Sequence, residues 1–128
     1  MPRKALIMTG GALLLAWGIS HLFPTAAVVK GFGDITPDNA RVITMEWMNE
    51  GFTLIFLGAL SITSALLENK GADISKAVYV MVFLMLIAMS ILSLFTGFQV
   101  NFLPYKLCPY IFTGAGLLVM QGIRRDKE

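Results

Sequence analysis

The sequence predicts an all-α integral membrane protein, a four-helix antiparallel bundle with both termini in the cytoplasm. Three observations carry this. Of 128 residues, 56% are hydrophobic and only 14% charged, against roughly 25% charge in a soluble domain. Charge-free stretches cover residues 5–23, 51–67, 77–100 and 107–123, and about 17–25 apolar residues span a bilayer core. Lysine and arginine are also unevenly placed. With four spans, the termini and the middle loop share one side, which holds Arg3, Lys4, Lys70, Lys76, Arg124, Arg125 and Lys127; the other side holds Lys30, Arg41 and Lys106. Seven against three fits the positive-inside rule with both ends inside. The expected organisation is one four-span domain over residues 1–128, with spans at about 5–23, 47–67, 77–98 and 107–123 and an outer loop at 24–46. Too few residues remain for a soluble enzyme, a secreted disulfide scaffold or a nucleic-acid binder.

The first span follows Arg3 and Lys4 and precedes the small residues Thr25, Ala26 and Ala27, as in a secretory signal. Its apolar run exceeds a usual signal core, so it is read as a retained anchor. Ala12, Ala16 and Ser20 recur at every fourth position and predict an inward-facing seam of small residues. Gly10, Gly11 and Gly18 are read as the ordinary glycine content of a membrane helix.

Residues 24–36 contain Pro24, Gly31, Gly33 and Asp34 without sustained periodicity and read as an ordered loop or short re-entrant turn. Val28, Val29, Phe32 and Ile35 make it apolar enough to lie on the membrane or fold over the bundle end as a lid. The Gly31-Phe32-Gly33 spacing lacks the strand and helix that give such glycines phosphate-binding meaning, and Asp34 with Asp38 is a weak calcium signal. Thr36-Pro37-Asp38 starts the second helix, with a capping hydroxyl, a proline suited to the first position and an acidic group at the positive end of the dipole. It runs to about residue 68, roughly 48 Å at ~1.5 Å per residue, which carries Arg41 and Glu46 beyond the hydrocarbon on the outer side.

Residues 68–73 form a polar turn in which Gly71 ends one helix and Ser75 caps the next. Met81, Met85 and Met89 in the third span are read as adaptable packing rather than a soft-metal path. In the third loop, residues 99–109, Pro104 and Pro109 bracket a kinked entrance, and Tyr105 and Tyr110 sit where tyrosines anchor at the interface. The charged tail, residues 124–128, reads as a cytoplasmic stop touching anionic lipid heads.

The chemistry is sparse. One cysteine, Cys108, excludes an internal disulfide and a CxxC centre and is read as packing. A single histidine and the lack of charge deep in any span predict no metal, no cofactor and no mid-membrane proton relay. The one constellation gathers at the outer helix ends: His21, Glu46, Asn49, Glu50, Gln99, Asn101 and Tyr105. Glu46 and Glu50 share a helical face, as do Trp17 and His21, being four apart. In the functional reading, His21 and Glu46 or Glu50 form an acid–base pair at the mouth of an apolar pocket lined by Trp17, Trp47, Asn49, Gln99, Asn101 and Tyr105. In the structural reading the pair fixes helix order.

Gly18-Ile19-Ser20-His21-Leu22-Phe23-Pro24 at the end of an N-terminal span, in a four-span chain of this length, resembles the DoxX-like small bacterial membrane proteins. This resemblance implies a four-helix bundle in a bacterial inner membrane and an accessory role. His21 with Glu46 or Glu50 is more distantly similar to the EXPERA-type proteins, whose sterol isomerases and sterol-binding receptors turn acidic and histidine residues to an internal cavity. That similarity implies an apolar ligand. The expected function is binding of a lipid-like molecule or a membrane-protein partner at the outer rim and residues 28–35. The alternatives are an integral-membrane enzyme, isomerase- or oxidoreductase-like, acting on an isoprenoid, sterol-like or quinone substrate, and a homo-oligomeric small transporter. The last lacks the carboxylate that small multidrug exporters carry in their first span.

Overall fold

A helix satisfies its backbone groups internally, which long apolar segments require. The computed structural model describes residues 2–124, which form helices α1 (Arg3–Leu22), α2 (Thr25–Gly31), α3 (Pro37–Leu67), α4 (Ala72–Phe95) and α5 (Leu103–Arg124), with no strand among the described residues. Four of them, α1, α3, α4 and α5, are long and apolar enough to cross a membrane. Residues 125–128, most of the basic tail, lie outside the described residues.

α3 begins as its residues dictate. Thr36 Oγ1 accepts a bond from Asn39 N at 3.2 Å, Pro37 takes the first position, and exposed Asp38 pairs with Arg41 at 2.9 Å. The outer loop expected at 24–46 is therefore mostly helical. α2 occupies seven of its residues, started by Thr25 Oγ1 donating to Leu22 O at 2.6 Å and Val28 N to Pro24 O at 2.9 Å. Gly33, at φ +74°, makes the turn toward α3. α5 also starts earlier than the apolar run suggests: Pro104 falls in its first turn, where a missing N–H costs nothing, and Pro109 lies inside the helix. Ser90 Oγ donates to Pro109 O at 3.0 Å and lies 2.7 Å from Thr113 Oγ1, tying α4 to α5 there.

The seam between α1 and α3 differs from the expected one. Ala12, Ala16 and Ser20 are exposed, whereas Gly11, Leu14, Gly18 and His21 are buried. Gly11 faces Gly58 and Gly18 faces Gly51: a Cβ at Gly11 would stand 2.9 Å from Gly58 O, and one at Gly18 would stand 2.8 Å from Gly51 O. Seven residues are close to two turns, so each glycine pair keeps one face of its helix. Glycine removes the whole side chain and lets backbones touch; alanine would hold them apart by a methyl group.

Arg3 closes one end of the bundle. Its guanidinium pairs with Glu68, just beyond α3, and its Nε donates to Gly122 O in α5 at 3.0 Å. The start of α1 thus meets the ends of α3 and α5, as an antiparallel bundle requires. α1 packs along α3 and α5, and α4 along α5, around Leu14, Leu54, Leu86 and Phe112. α3 and α4 meet over a shorter stretch, held near their connection by Ser75 Oγ donating to Ser64 O at 3.1 Å. Much of the exterior is apolar, including exposed Phe56, Leu84, Leu92 and Phe95. Met81 and Met85 of the methionine stripe are both exposed, and Met85 with Met89 lines the space between α3 and α4.

Candidate functional site

At the other end of the bundle, three helices each contribute two side chains one turn apart. α1 supplies Trp17 and His21, α3 supplies Trp47 and Glu50, and α5 supplies Tyr105 and Cys108. The Gly18–Gly51 contact sits inside this group, and its backbone approach brings His21 and Glu50 together.

His21 is the centre. Its Nε2 lies 3.5 Å from Glu50 Oε2, with only 1% of the imidazole side chain and 26% of the glutamate side chain exposed. The Trp47 ring stacks on the imidazole at 3.7 Å and 16°, and Trp47 Nε1 donates to His21 O at 2.7 Å. Tyr105 meets Trp47 edge-on at 5.2 Å, with Phe102 behind both. The imidazole is thereby held to one orientation.

Cys108 is buried and completes the group: ligand atoms of His21, Glu50 and Cys108 all lie within 4.8 Å of one another. The Cys108 thiol lies beside both the Trp17 indole and the Glu50 carboxylate. Two buried nitrogens here, His21 Nε2 and Trp17 Nε1, have no partner in hydrogen-bonding geometry among the described residues. A buried polar atom left so costs roughly 1–3 kcal/mol. The side chains present, imidazole, carboxylate and thiol, are able to exchange protons or to ligate a metal ion.

Beside this cluster a groove of about 640 Å³ runs between α3 and α4. Val42, Ile43, Met85, Met89 and Leu92 form apolar walls, and Trp47, Glu50 and Tyr105 lie at its polar part. A smaller cavity of about 390 Å³ lies under α2, lined by Val28, Phe32, Asn101, Phe102 and Tyr105. Phe32 borders both spaces.

The structure thus brings Trp17, His21, Trp47, Glu50 and Tyr105 into one neighbourhood. Glu46 and Asn49 are exposed residues of the groove wall, outside the histidine cluster. Asn101 lines the smaller cavity, and exposed Gln99 lines neither space. Cys108 is the member that sequence reading set aside. The available signal was its position three residues after Tyr105, which shares its face only if the helix begins before Pro104. Comparison with family models, curated proteins and solved structures finds no match for this chain.

Proposed function

We propose that this is an integral membrane protein that binds a lipid-like molecule in the groove between α3 and α4, with the molecule's polar group against Trp47, Glu50 and Tyr105. The groove itself carries the reading. Its volume of about 640 Å³ falls within the size of small-molecule sites, which are apolar concavities with a few convergent polar groups. The apolar exterior of α4 supports insertion in a bilayer, and the bias of Lys and Arg supports an orientation with both termini cytoplasmic. The polar part of the groove then lies toward the outer side. An apolar ligand is also what the similarity to EXPERA-type proteins implies.

The test is mass spectrometry of small molecules that co-purify with the wild type and with Thr53→Trp, which fills the groove from a lining position of α3, in mild detergent at matched protein amounts. A lipid-like species enriched on the wild type and depleted on Thr53→Trp is the expected result. Equal, bulk-like lipid on both proteins refutes ligand binding and directs attention to a membrane-protein partner.

A second reading, an acid–base enzyme acting on such a molecule, is favoured by the 3.5 Å approach of His21 Nε2 to Glu50 Oε2. A proton donor and acceptor at this separation suit proton transfer on a substrate that comes between them. Glu50→Gln separates the two: in a binder the co-purifying species is retained unaltered, whereas in an enzyme turnover of that species is lost while binding persists.

A further inference from the structure

We infer that His21, Glu50 and Cys108 form a binding site for a divalent transition-metal ion of the zinc class. The inference goes beyond the groove reading and does not depend on the groove being filled.

Geometry is the first support. Metal–nitrogen and metal–oxygen distances near 2.0–2.2 Å set the edge of a tetrahedral site at about 3.3–3.6 Å. His21 Nε2 and Glu50 Oε2 stand 3.5 Å apart, too far for a good hydrogen bond and right for two ligands on one ion. One ligand atom from each of His21, Glu50 and Cys108 lies within 4.8 Å of the other two. A tetrahedral edge to sulfur is about 3.6 Å, so closure takes a shift on the order of 1 Å, taken up at Cys108 and Glu50 while the imidazole stays stacked on Trp47.

Unsatisfied chemistry is the second. His21 is 96% buried, and its Nε2 faces the Glu50 carboxylate at 3.5 Å with no partner in hydrogen-bonding geometry among the described residues. In the tautomer protonated at Nδ1, that nitrogen carries a lone pair that takes either a proton donor or a metal. Trp47 restricts the ring by stacking on it and anchors the His21 backbone by its bond to the carbonyl, which limits the positions the imidazole takes.

Charge is the third. A neutral imidazole, a carboxylate and a thiolate together carry two negative charges, which a divalent ion cancels. A neutral site is one that apolar surroundings such as Leu14, Leu54 and Phe112 tolerate. One sulfur, one nitrogen and one oxygen suit zinc, cobalt, iron or copper, and do not suit magnesium or calcium. Three protein ligands leave a fourth position for water or another small ligand.

The experiment uses the full chain in mild detergent, purified without a metal-affinity tag, stripped with chelator and titrated with Co²⁺. Four-coordinate d–d absorption and a thiolate-to-cobalt charge-transfer band, saturating at one ion per chain, are expected. The charge-transfer band vanishes in Cys108→Ser. In His21→Gln and Glu50→Gln, affinity falls by at least the roughly 10–100-fold that loss of an outer-shell partner costs. Elemental analysis of the unstripped protein gives the resident metal. Helicity and a monodisperse elution profile establish that each variant is folded. Where Cys108→Ser does not fold, the folded wild type still decides: no charge-transfer band on Co²⁺ addition overturns the site. A band that survives in folded Cys108→Ser overturns it equally. Thr53→Trp, which fills the groove and excludes a ligand from it, leaves the cobalt spectrum unchanged, so the site and the lipid reading fail separately.

Discussion

Trp47 joins the two halves of the site, because one side chain both stacks on His21 and hydrogen-bonds its carbonyl. That carbonyl belongs to the last turn of α1, where helix acceptors have no partner within the helix. Trp47→Phe keeps a ring on the imidazole and removes the bond. A loss of about 1–3 kcal/mol is expected, because the buried carbonyl is left without a partner, read as reduced resistance to denaturant in detergent, together with weaker Co²⁺ binding. Glu46→Gln is the contrast. This exposed residue lies outside the His21 cluster, so stability should move by no more than about 0.5 kcal/mol and the cobalt spectrum should not change. At this scale the pairs Trp17 with His21 and Glu46 with Glu50 were legible from their spacing. Which glutamate meets the histidine was not, since residues four apart on α3 occupy different depths and only the approach of α1 selects between them. For Cys108 the spacing to Tyr105 marks a shared face of α5, but its neighbours His21 and Glu50 come from two other helices.

Among the elements, the glycine seam of α1 and α3 sets how near His21 and Glu50 come. Gly58→Ala places a methyl group 2.6 Å from Gly11 O, and Gly18→Ala places one 2.8 Å from Gly51 O. Backbone cannot rotate away as a side chain does, so each is expected to cost about 1–3 kcal/mol. Gly18→Ala should also weaken Co²⁺ binding, being next to the site. A Cβ at Gly114 meets nothing within 4 Å. Gly114→Ala should therefore be neutral, or stabilising by up to about 1 kcal/mol through helix propensity. Unfolding titrations of the three variants in one detergent check the contrast. The seven-residue spacing of Gly11 with Gly18 and of Gly51 with Gly58 stands in the sequence. It went unused because the first span also offers Ala12, Ala16 and Ser20, and one helix alone does not reveal which small face meets a partner.

Across the molecule, Arg3 ties the start of α1 to the ends of α3 and α5. The side chains of Arg3 and Glu68 are 19% and 11% exposed, so the pair is largely shielded. Glu68→Gln removes the carboxylate charge beside a shielded guanidinium that keeps its bond to Gly122 O. Glu68→Gln is expected to cost roughly 3 kcal/mol, near the lower end for buried pairs because some solvent remains, measured by chemical unfolding in detergent micelles. The proposed orientation is testable with reporter fusions: one at the C-terminus should be active in the cytoplasm, and one inserted at residues 99–102 should be active outside. The opposite pattern would reject the inside placement of the termini.

The sequence by itself determined that the chain forms four long apolar helices, because uncharged runs of this length satisfy their backbones only as helices in an apolar setting. It also determined where α3 starts, since Thr36, Pro37 and Asp38 act on their own turn. Only the tertiary structure decided which face of each helix turns inward, that the 24–36 segment holds a helix, and that Cys108 stands beside His21 and Glu50. The physical reason is common to the first and the last. A helix that is apolar on every side carries no hydrophobic stripe to mark its buried face. The choice falls instead to close backbone contacts and to a few polar groups brought together from separate helices.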